Sequence, residues 1–265
     1  DNIATDSSSF SLTFATEVSG SASTISLVKA HGNTKTNNDI SYYSLSTTTS
    51  TGFTEAGDPT AATFSPYRSG GYSTFFPGYF TDRIYVDPTT GSDFAFGTGD
   101  FTVEAWVYLS EVSSGDMRIA KNWSSQSSTT TGQWLFEFQG SGADLRVGDY
   151  TAGKYTTAST SCVAGIWYHV AVSREGSTVR LFVNGVSLST TDTGGGVGSV
   201  DFNRTNGEVY IGYGLVGYIK DLRVVKGTAV YTANFTAPTE PLTAISGTEL
   251  LTCHLPYLAD GSTND

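Results

Sequence analysis

The chain of 265 residues carries 25 acidic against 14 basic side chains, a net charge of −11, and is 38% hydrophobic and 13% aromatic. That acidic balance argues against nucleic acid and anionic membrane surfaces as partners, and no apolar run approaches the roughly 20 residues of a spanning helix, so no membrane insertion is expected. Tyr and Phe dominate beside abundant Ser, Thr and Gly, with a single Met; this suits strands and turns rather than a helical bundle, in one large β domain or two small ones.

Residues 1–60 are polar and weakly periodic, with short strands expected at 10–14 and 25–29 and a Ser/Thr-rich loop at 46–54. Aromatics rise from Ala61 onward, and 83–86 reads as a strand closed by the turn Asp87-Pro88. Residues 101–109 form the clearest element. Phe101, Val103, Ala105, Val107 and Leu109 share one face, and Thr102, Glu104, Trp106 and Tyr108 the other, with the two-residue period of a strand. A short strand at 117–121 leads into a polar loop at 122–132 that carries Trp123. Strands at 134–139 and 144–147 make a hairpin around Gly140 and Gly142, and 155–161 is another strand. Strands at 166–174 and 178–184 flank the turn Glu175-Gly176. Asn184-Gly185 then turns the chain into 186–189, since both of its residues accept positive φ. Residues 194–198 are a glycine-rich flexible loop, and strands follow at 208–212 and 217–225. A short helical turn is expected at 228–235, a connector between Pro238 and Pro241, and a last strand at 248–254. No segment sustains a 3.6-residue period, so the expectation is a large all-β sandwich. Residues 24–31 and 248–254 echo one another: either first and last strands lie side by side, or a second copy of the module begins near the C-terminus, the option the polar end of the sequence favours.

Four stretches, in order, resemble laminin-G-like domains of the concanavalin A-like lectin/glucanase superfamily. Residues 96–108 look like their opening core strand, 166–174 like the central strand, 179–185 like the next with its Asn-Gly turn, and 217–241 like the closing part; the match covers roughly 63–241. The resemblance implies an all-β concanavalin A-like jelly-roll sandwich of two antiparallel sheets. It places the laminin-G-like domain at 61–245, an N-terminal extension or adaptor at 1–60, and a closing strand or the start of a following repeat at 246–265. The segment 226–236 is similar to domains of marine bacteriophage structural proteins, both fibres and surface decorations. That implies a non-catalytic virion structural module at the virion surface, a homo-oligomer touching other virion or fibre subunits and binding glycans or host-surface polysaccharide. The alternative is a secreted or cell-surface carbohydrate-binding domain of a cellular organism. No cofactor or metal is expected. Calcium is frequent on laminin-G-like folds and stays open, although no Asp-rich loop with ligand spacing stands out.

Glucanases on this fold align Glu-x-Asp-x-Glu on one strand face. That spacing is missing here. Glu104 stands alone on its strand and Glu137 has no acidic neighbour two residues away, so both are expected to be solvated or hydrogen-bonded, and the chain is expected not to be an enzyme. His169 lacks a Gly-x-Ser-x-Gly elbow to serve and reads as a sheet-face histidine with one satisfied nitrogen. Asp221 and Arg223, two apart on one strand, are expected to form a structural ion pair or network. Cys162 and Cys253 read as buried free thiols, a disulfide being the less favoured alternative, and no Cys/His cluster has zinc spacing. Sugars are gripped by rings that stack on pyranose faces, with amides and carboxylates on the hydroxyls. Trp123 and Asn122, followed by Asp149, Tyr150 and Tyr155, are therefore the candidate ligand-binding residues; the competing role for Trp123 is to cap the sandwich edge.

Overall fold

The computed structural model of the chain describes residues 30–31, 42–44, 53–87, 91–123, 131–205, 207–256 and 260–262, with the backbone alone at 30–31, 42–44, 54–55 and 123. All helix or strand structure among these residues is β. The first nine strands are β1 (Ala30–His31), β2 (Tyr42–Ser44), β3 (Phe53–Ala56), β4 (Thr60–Ala62), β5 (Ser73–Pro77), β6 (Arg83–Val86), β7 (Phe101–Leu109), β8 (Asp116–Trp123) and β9 (Leu135–Gln139). The remaining nine are β10 (Asp144–Asp149), β11 (Lys154–Ala158), β12 (Trp167–Glu175), β13 (Thr178–Val183), β14 (Val186–Ser187), β15 (Thr191–Thr193), β16 (Glu208–Ile211), β17 (Val216–Lys226) and β18 (Thr248–Thr252).

They make two antiparallel sheets. The larger runs β1-β2-β4-β5-β17-β7-β12-β13-β14, with β18 also paired to β17; the smaller runs β15-β11-β10-β9-β8-β16-β6-β3. The core lies between them. Val103, Ala105, Val107, Val170, Val172, Ile219 and Val224 of the larger sheet and Ile84, Met117, Ile119, Phe136, Phe138, Leu145 and Val209 of the smaller belong to one buried cluster. Each such branched or aromatic side chain contributes about 1.5–3 kcal/mol when fully buried. The jelly-roll sandwich expected from alternation and resemblance is the fold observed.

The outward face of the larger sheet is also covered, by chain rather than by a third sheet. Val230 N–H donates to Thr102 Oγ1 at 2.8 Å, Tyr231 N–H to Ser173 Oγ at 3.3 Å and Phe235 N–H to the Gly185 carbonyl at 2.9 Å. Those bonds correct the helical turn expected at 228–235. The sheet beneath satisfies these three donors along an extended path, without the i→i−4 bonds of a helix. Residues 63–72 cover another part of this face: the Phe64 ring meets Tyr108, Trp167 and Tyr218 at 4.8–5.2 Å.

Several expectations are met in detail. Asn184 and Gly185 take φ of 50° and 80°, the primed turn their sequence predicts, and Gly185 also leaves room for the Phe235 carbonyl. Cys162 and Cys253 are buried and free. Others need correction. Phe53 and Thr54, expected in a loop, belong to β3, paired to Val86 and Tyr85. Asn122 and Trp123, expected in the following loop, are the last residues of β8, paired to Val209 and Glu208. Asp221 and Arg223 enter side-chain networks, one of the two roles expected of them, but do not pair with each other: a bulge between Lys220 and Arg223, with Asp221 at φ 52°, turns them to different partners. Asp221 accepts from Tyr67 Oη at 2.6 Å and meets Lys220 at 3.5 Å, while Arg223 reaches Glu104. The strands expected at 10–14 and 25–29, and the loop 46–54 up to residue 52, lie outside the described residues.

Candidate functional site

The smaller sheet turns its polar face away from the core, and cross-strand register sorts that face into rows. One row runs Tyr85, Tyr210, Lys121, Leu135, Gly148, Tyr155 over six strands. A neighbouring row runs Arg118, Glu137, Arg146, Thr157. A bulge in β8 between Arg118 and Ala120 puts both Ile119 and Ala120 into the core, which lets Arg118 and Lys121, three apart, share the outward face. Gly148 keeps its place free of a side chain because the Tyr155 ring lies over it; a Cβ there would collide with that ring.

A cleft of about 770 Å³ opens over these rows, bounded by Phe80, Arg83, Asp116, Arg118, Lys121, Asn122, Gln133, Trp134, Leu135, Tyr150, Tyr210 and Tyr213 among others. Its cations stand against rings. Arg83 lies 4.8 Å from the Tyr210 centroid and 5.7 Å from that of Tyr213; Lys121 lies 5.3 and 4.2 Å from the same two; Arg118 lies 5.3 Å from Tyr213. Beside them, Arg118 meets Asp116 at 3.0 Å and Glu137 at 3.3 Å, while Arg146 meets Asp116 at 3.5 Å and holds Glu137 through both Nε and Nη2. Burial lowers the Lys121 ammonium to about 7, assisted by the nearby Arg118 charge. Burial pushes the Tyr210 phenol up to about 12, so it stays a donor at neutral pH, and pushes the Glu137 carboxyl up against the pull of Arg146 and Arg118.

The sequence-predicted residues fall around this cleft in different roles. Tyr150 is exposed on its rim. Asn122 reaches it from a buried position, its amide donating to the Phe94 carbonyl at 3.0 Å and the Arg204 carbonyl at 3.3 Å. Asp149 sits behind the rim: its carboxylate accepts from the backbone N–H of Gly132 at 2.7 Å and from Thr151 and Ala152 at 3.0 Å each. It fixes the loop that carries Tyr150 and is 1% exposed. Tyr155 shares the sheet face, 4.4 Å from the Arg146 guanidinium. Trp123 ends β8 next to Asn122; its side chain lies outside the described residues. The basic residues Arg83, Arg118, Lys121 and Arg146, and the rings Phe80, Tyr210 and Tyr213, were not singled out from sequence. Their signal is faint, an Arg or Lys alternating with Tyr or an apolar residue on short strands, and it becomes a site only through register.

A second polar cluster lies beneath the cover of the larger sheet. Glu104 accepts from Arg223 Nε at 2.9 Å, from Tyr231 Oη at 2.7 Å, and shares a hydrogen bond of 3.0 Å with His169 Nε2. Burial alone would raise the Glu104 carboxyl, but the His169 hydrogen bond and the Arg223 charge outweigh it and hold the group below its ordinary value. Tyr231 stacks on Phe235 at 3.6 Å, closing the cluster off. His169 has one partnered nitrogen, as expected, and no serine nucleophile beside it.

No helix among the described residues is long and apolar enough to cross a membrane, and no group of three or more His, Cys, Asp or Glu there could hold a metal ion.

A sequence profile of the concanavalin A-like lectin/glucanases superfamily matches residues 80–229. No curated protein matches the chain. Among solved structures, domain 4 of a GH43 extracellular arabinanase from Geobacillus stearothermophilus, in complex with arabinotriose, is similar over 67% of this chain and 82% of its own, at 15% identity and a TM-score of 0.47. A heptameric SAP-like pentraxin from Limulus polyphemus is similar over 63% of this chain and 83% of its own, at 16% identity and a TM-score of 0.42. Domains LG4-5 of the mouse laminin α1 chain are similar over 64% of this chain, at 13% identity and a TM-score of 0.41; the chain spans 47% of that fragment, less than half its length.

Proposed function

Because this chain belongs to the concanavalin A-like lectin/glucanases superfamily, we propose that it is a non-catalytic glycan-binding module of a virion structural protein. The observation that carries the binding half is the cleft over the smaller sheet. Phe80, Tyr150 and Tyr213 offer ring faces for pyranoses, and Arg83, Lys121, Gln133 and Asp116 offer hydrogen-bonding groups for hydroxyls, all on one recessed surface. A single stacked sugar gives only about millimolar affinity, near −4 kcal/mol, so useful adhesion calls for many copies, as a repetitive particle surface supplies.

What supports a non-catalytic role is the company kept by Asp116, which bounds the cleft, and by Glu137, buried beside it. Asp116 and Glu137 are each paired to both Arg118 and Arg146. Carboxylates so engaged with arginines are poor nucleophiles and poor bases. What supports the virion setting is the resemblance of residues 226–236 to phage structural domains. Capsid or tail genes beside the reading frame would bear that out, whereas an export leader or anchor would favour the secreted or cell-surface alternative.

The test is binding of the chain to a polysaccharide panel, alongside Tyr213→Ala and Trp123→Ala. Binding is expected at up to millimolar sugar and is expected to fall at least five-fold in Tyr213→Ala. Absence of binding to every glycan would end the lectin role. Reducing ends released from a bound polysaccharide, and lost in Glu137→Gln, would end the non-catalytic one.

A further inference from the structure

We propose that the ligand of this cleft is an acidic polysaccharide, whose sugar carboxylate or sulfate is held by Arg83, Lys121 and Arg118 while the neighbouring rings take the sugar faces. This rests on the glycan-binding role above and narrows it. The first argument is local charge. The chain carries −11 overall, yet the cleft is bounded by three basic side chains and a single carboxylate, Asp116. That carboxylate already faces Arg118 at 3.0 Å.

The second argument is geometry. Arg83, Lys121 and Arg118 all lie within 5.7 Å of one ring, that of Tyr213. Three like charges so gathered repel one another, and part of that repulsion is visible in the lowered Lys121 ammonium, for which burial is the largest cause and Arg118 and Arg83 add to it. An anion seated among them removes the repulsion and restores the full charge of Lys121. Arg83 carries a charge that no carboxylate among the described residues offsets. Its Nη1 donates to the Phe80 and Thr81 carbonyls at 3.0 and 3.3 Å, and its Nε is buried without a hydrogen-bond partner. A guanidinium without a carboxylate partner attracts the oxygens of a carboxylate or a sulfate.

The rest of the surroundings selects sugar over a phosphate chain. Asp116 beside the cations accepts hydrogen bonds from hydroxyls and repels a second close anion, and the net acidity of the molecule repels a continuous polyphosphate. Sugar acids spaced one per residue and carrying free hydroxyls match that mixture.

The experiment is titration of the full chain with polygalacturonate and alginate as carboxylated polymers, a sulfated galactan, neutral galactan and β-glucan, and single-stranded DNA. The same series is run on Arg83→Gln and Lys121→Met, with unfolding midpoints measured for each. The expected result is at least tenfold tighter binding of one acidic class than of the neutral polymers, reduced about tenfold in both variants while their folds persist. The carboxylated and sulfated arms decide which acid is read. Equal binding of neutral and acidic polymers, unchanged in both variants, would overturn the acidic assignment and leave the glycan role standing. Binding of DNA alone, or of nothing, would overturn both.

Discussion

Each sheet carries on its outer face a glutamate gripped by arginine among aromatic rings, and the two clusters differ chiefly in what lies above them. Glu104, with Arg223, His169 and Tyr231, is closed over by the segment after β17. Glu137, with Arg118 and Arg146, adjoins an open cleft. The chemistry on the two faces is similar; access is what separates a closed network from an open one. Under the cover, the charges of Glu104 and Arg223 find their partners within the chain, and a lost partner leaves a desolvated charge. Beside the cleft, partners are shared out more loosely and solvent or ligand can supply the remainder.

The widest gap between the two faces is expected from removing each glutamate. Glu104→Ala strands Arg223 in a dry site and should cost about 3–5 kcal/mol in urea unfolding. Glu137→Ala leaves Arg118 and Arg146 with Asp116 and with the water of the cleft, and should cost clearly less. Equal losses would erase the distinction between covered and open. The Glu104 contribution also has a pH signature. Its carboxyl sits below the ordinary value in the folded state, so its stabilisation is complete above the unfolded value of about 4.3 and is lost as pH falls through the lower folded one. Glu104→Ala should lack that part of the acid limb.

Next in size is Tyr231→Phe. The ring and its stack on Phe235 remain, and only the 2.7 Å hydrogen bond to Glu104 goes. A hydrogen bond to a charged group is worth about 1.5–3 kcal/mol, and the loss should appear as a lower denaturant midpoint at unchanged slope. A changed slope would mean that the cover itself had come away.

These two faces also show what a sequence makes legible. Alternation in 101–109 and 166–174 gave the sandwich directly, because burial of one strand face imposes a period of two on the side chains. The Asn184-Gly185 turn was equally plain, since only such residues tolerate its backbone. The two clusters were not. Glu104 meets Arg223 from 119 positions away, and the pairing follows a bulge at Lys220–Arg223 that no spacing rule announces. Arg83, Arg118 and Lys121 come together only because β6, β16 and β8 lie side by side. Rings found by composition led to Tyr150 on the rim, but Asp149 and Asn122, chosen as ligand groups, make bonds to backbone that shape the loops around the cleft. Net charge, being a sum over the chain, did not reveal that Arg83, Arg118 and Lys121 bound one cleft.

A smaller effect tests the open face by pH. Lys121 is surrounded by Arg118 on its own strand, Arg83 on β6, Tyr210 on β16, Tyr213 beyond it, and the carboxylates Asp116 and Glu137. Its folded value of about 7 lies below the unfolded one of about 10.4, so between these the unfolded chain binds more protons and stability rises with pH. The difference between wild type and Lys121→Met should therefore shift in favour of wild type above pH 7, at no more than about 1.4 kcal/mol per pH unit. Flat difference curves from pH 6 to 10 would show that Lys121 is not desolvated. Binding of an acidic polymer should run the other way, strongest below pH 7, where the ammonium is fully charged.

The smallest effect on the fold is expected from Tyr150→Ala. Its ring is 57% exposed, and its loop is held by Asp149 rather than by the ring, so unfolding should change by less than about 0.5 kcal/mol. Loss of one stacking ring from a sugar site should still weaken glycan binding several-fold, about 1 kcal/mol by the worth of aromatic contacts. A variant at the covered face cannot show that combination, because there binding is untouched and stability falls. Unchanged binding in Tyr150→Ala would move the ligand off the rim and deeper toward Tyr213 and Phe80, while a large loss of stability would mean that the rim belongs to the core after all.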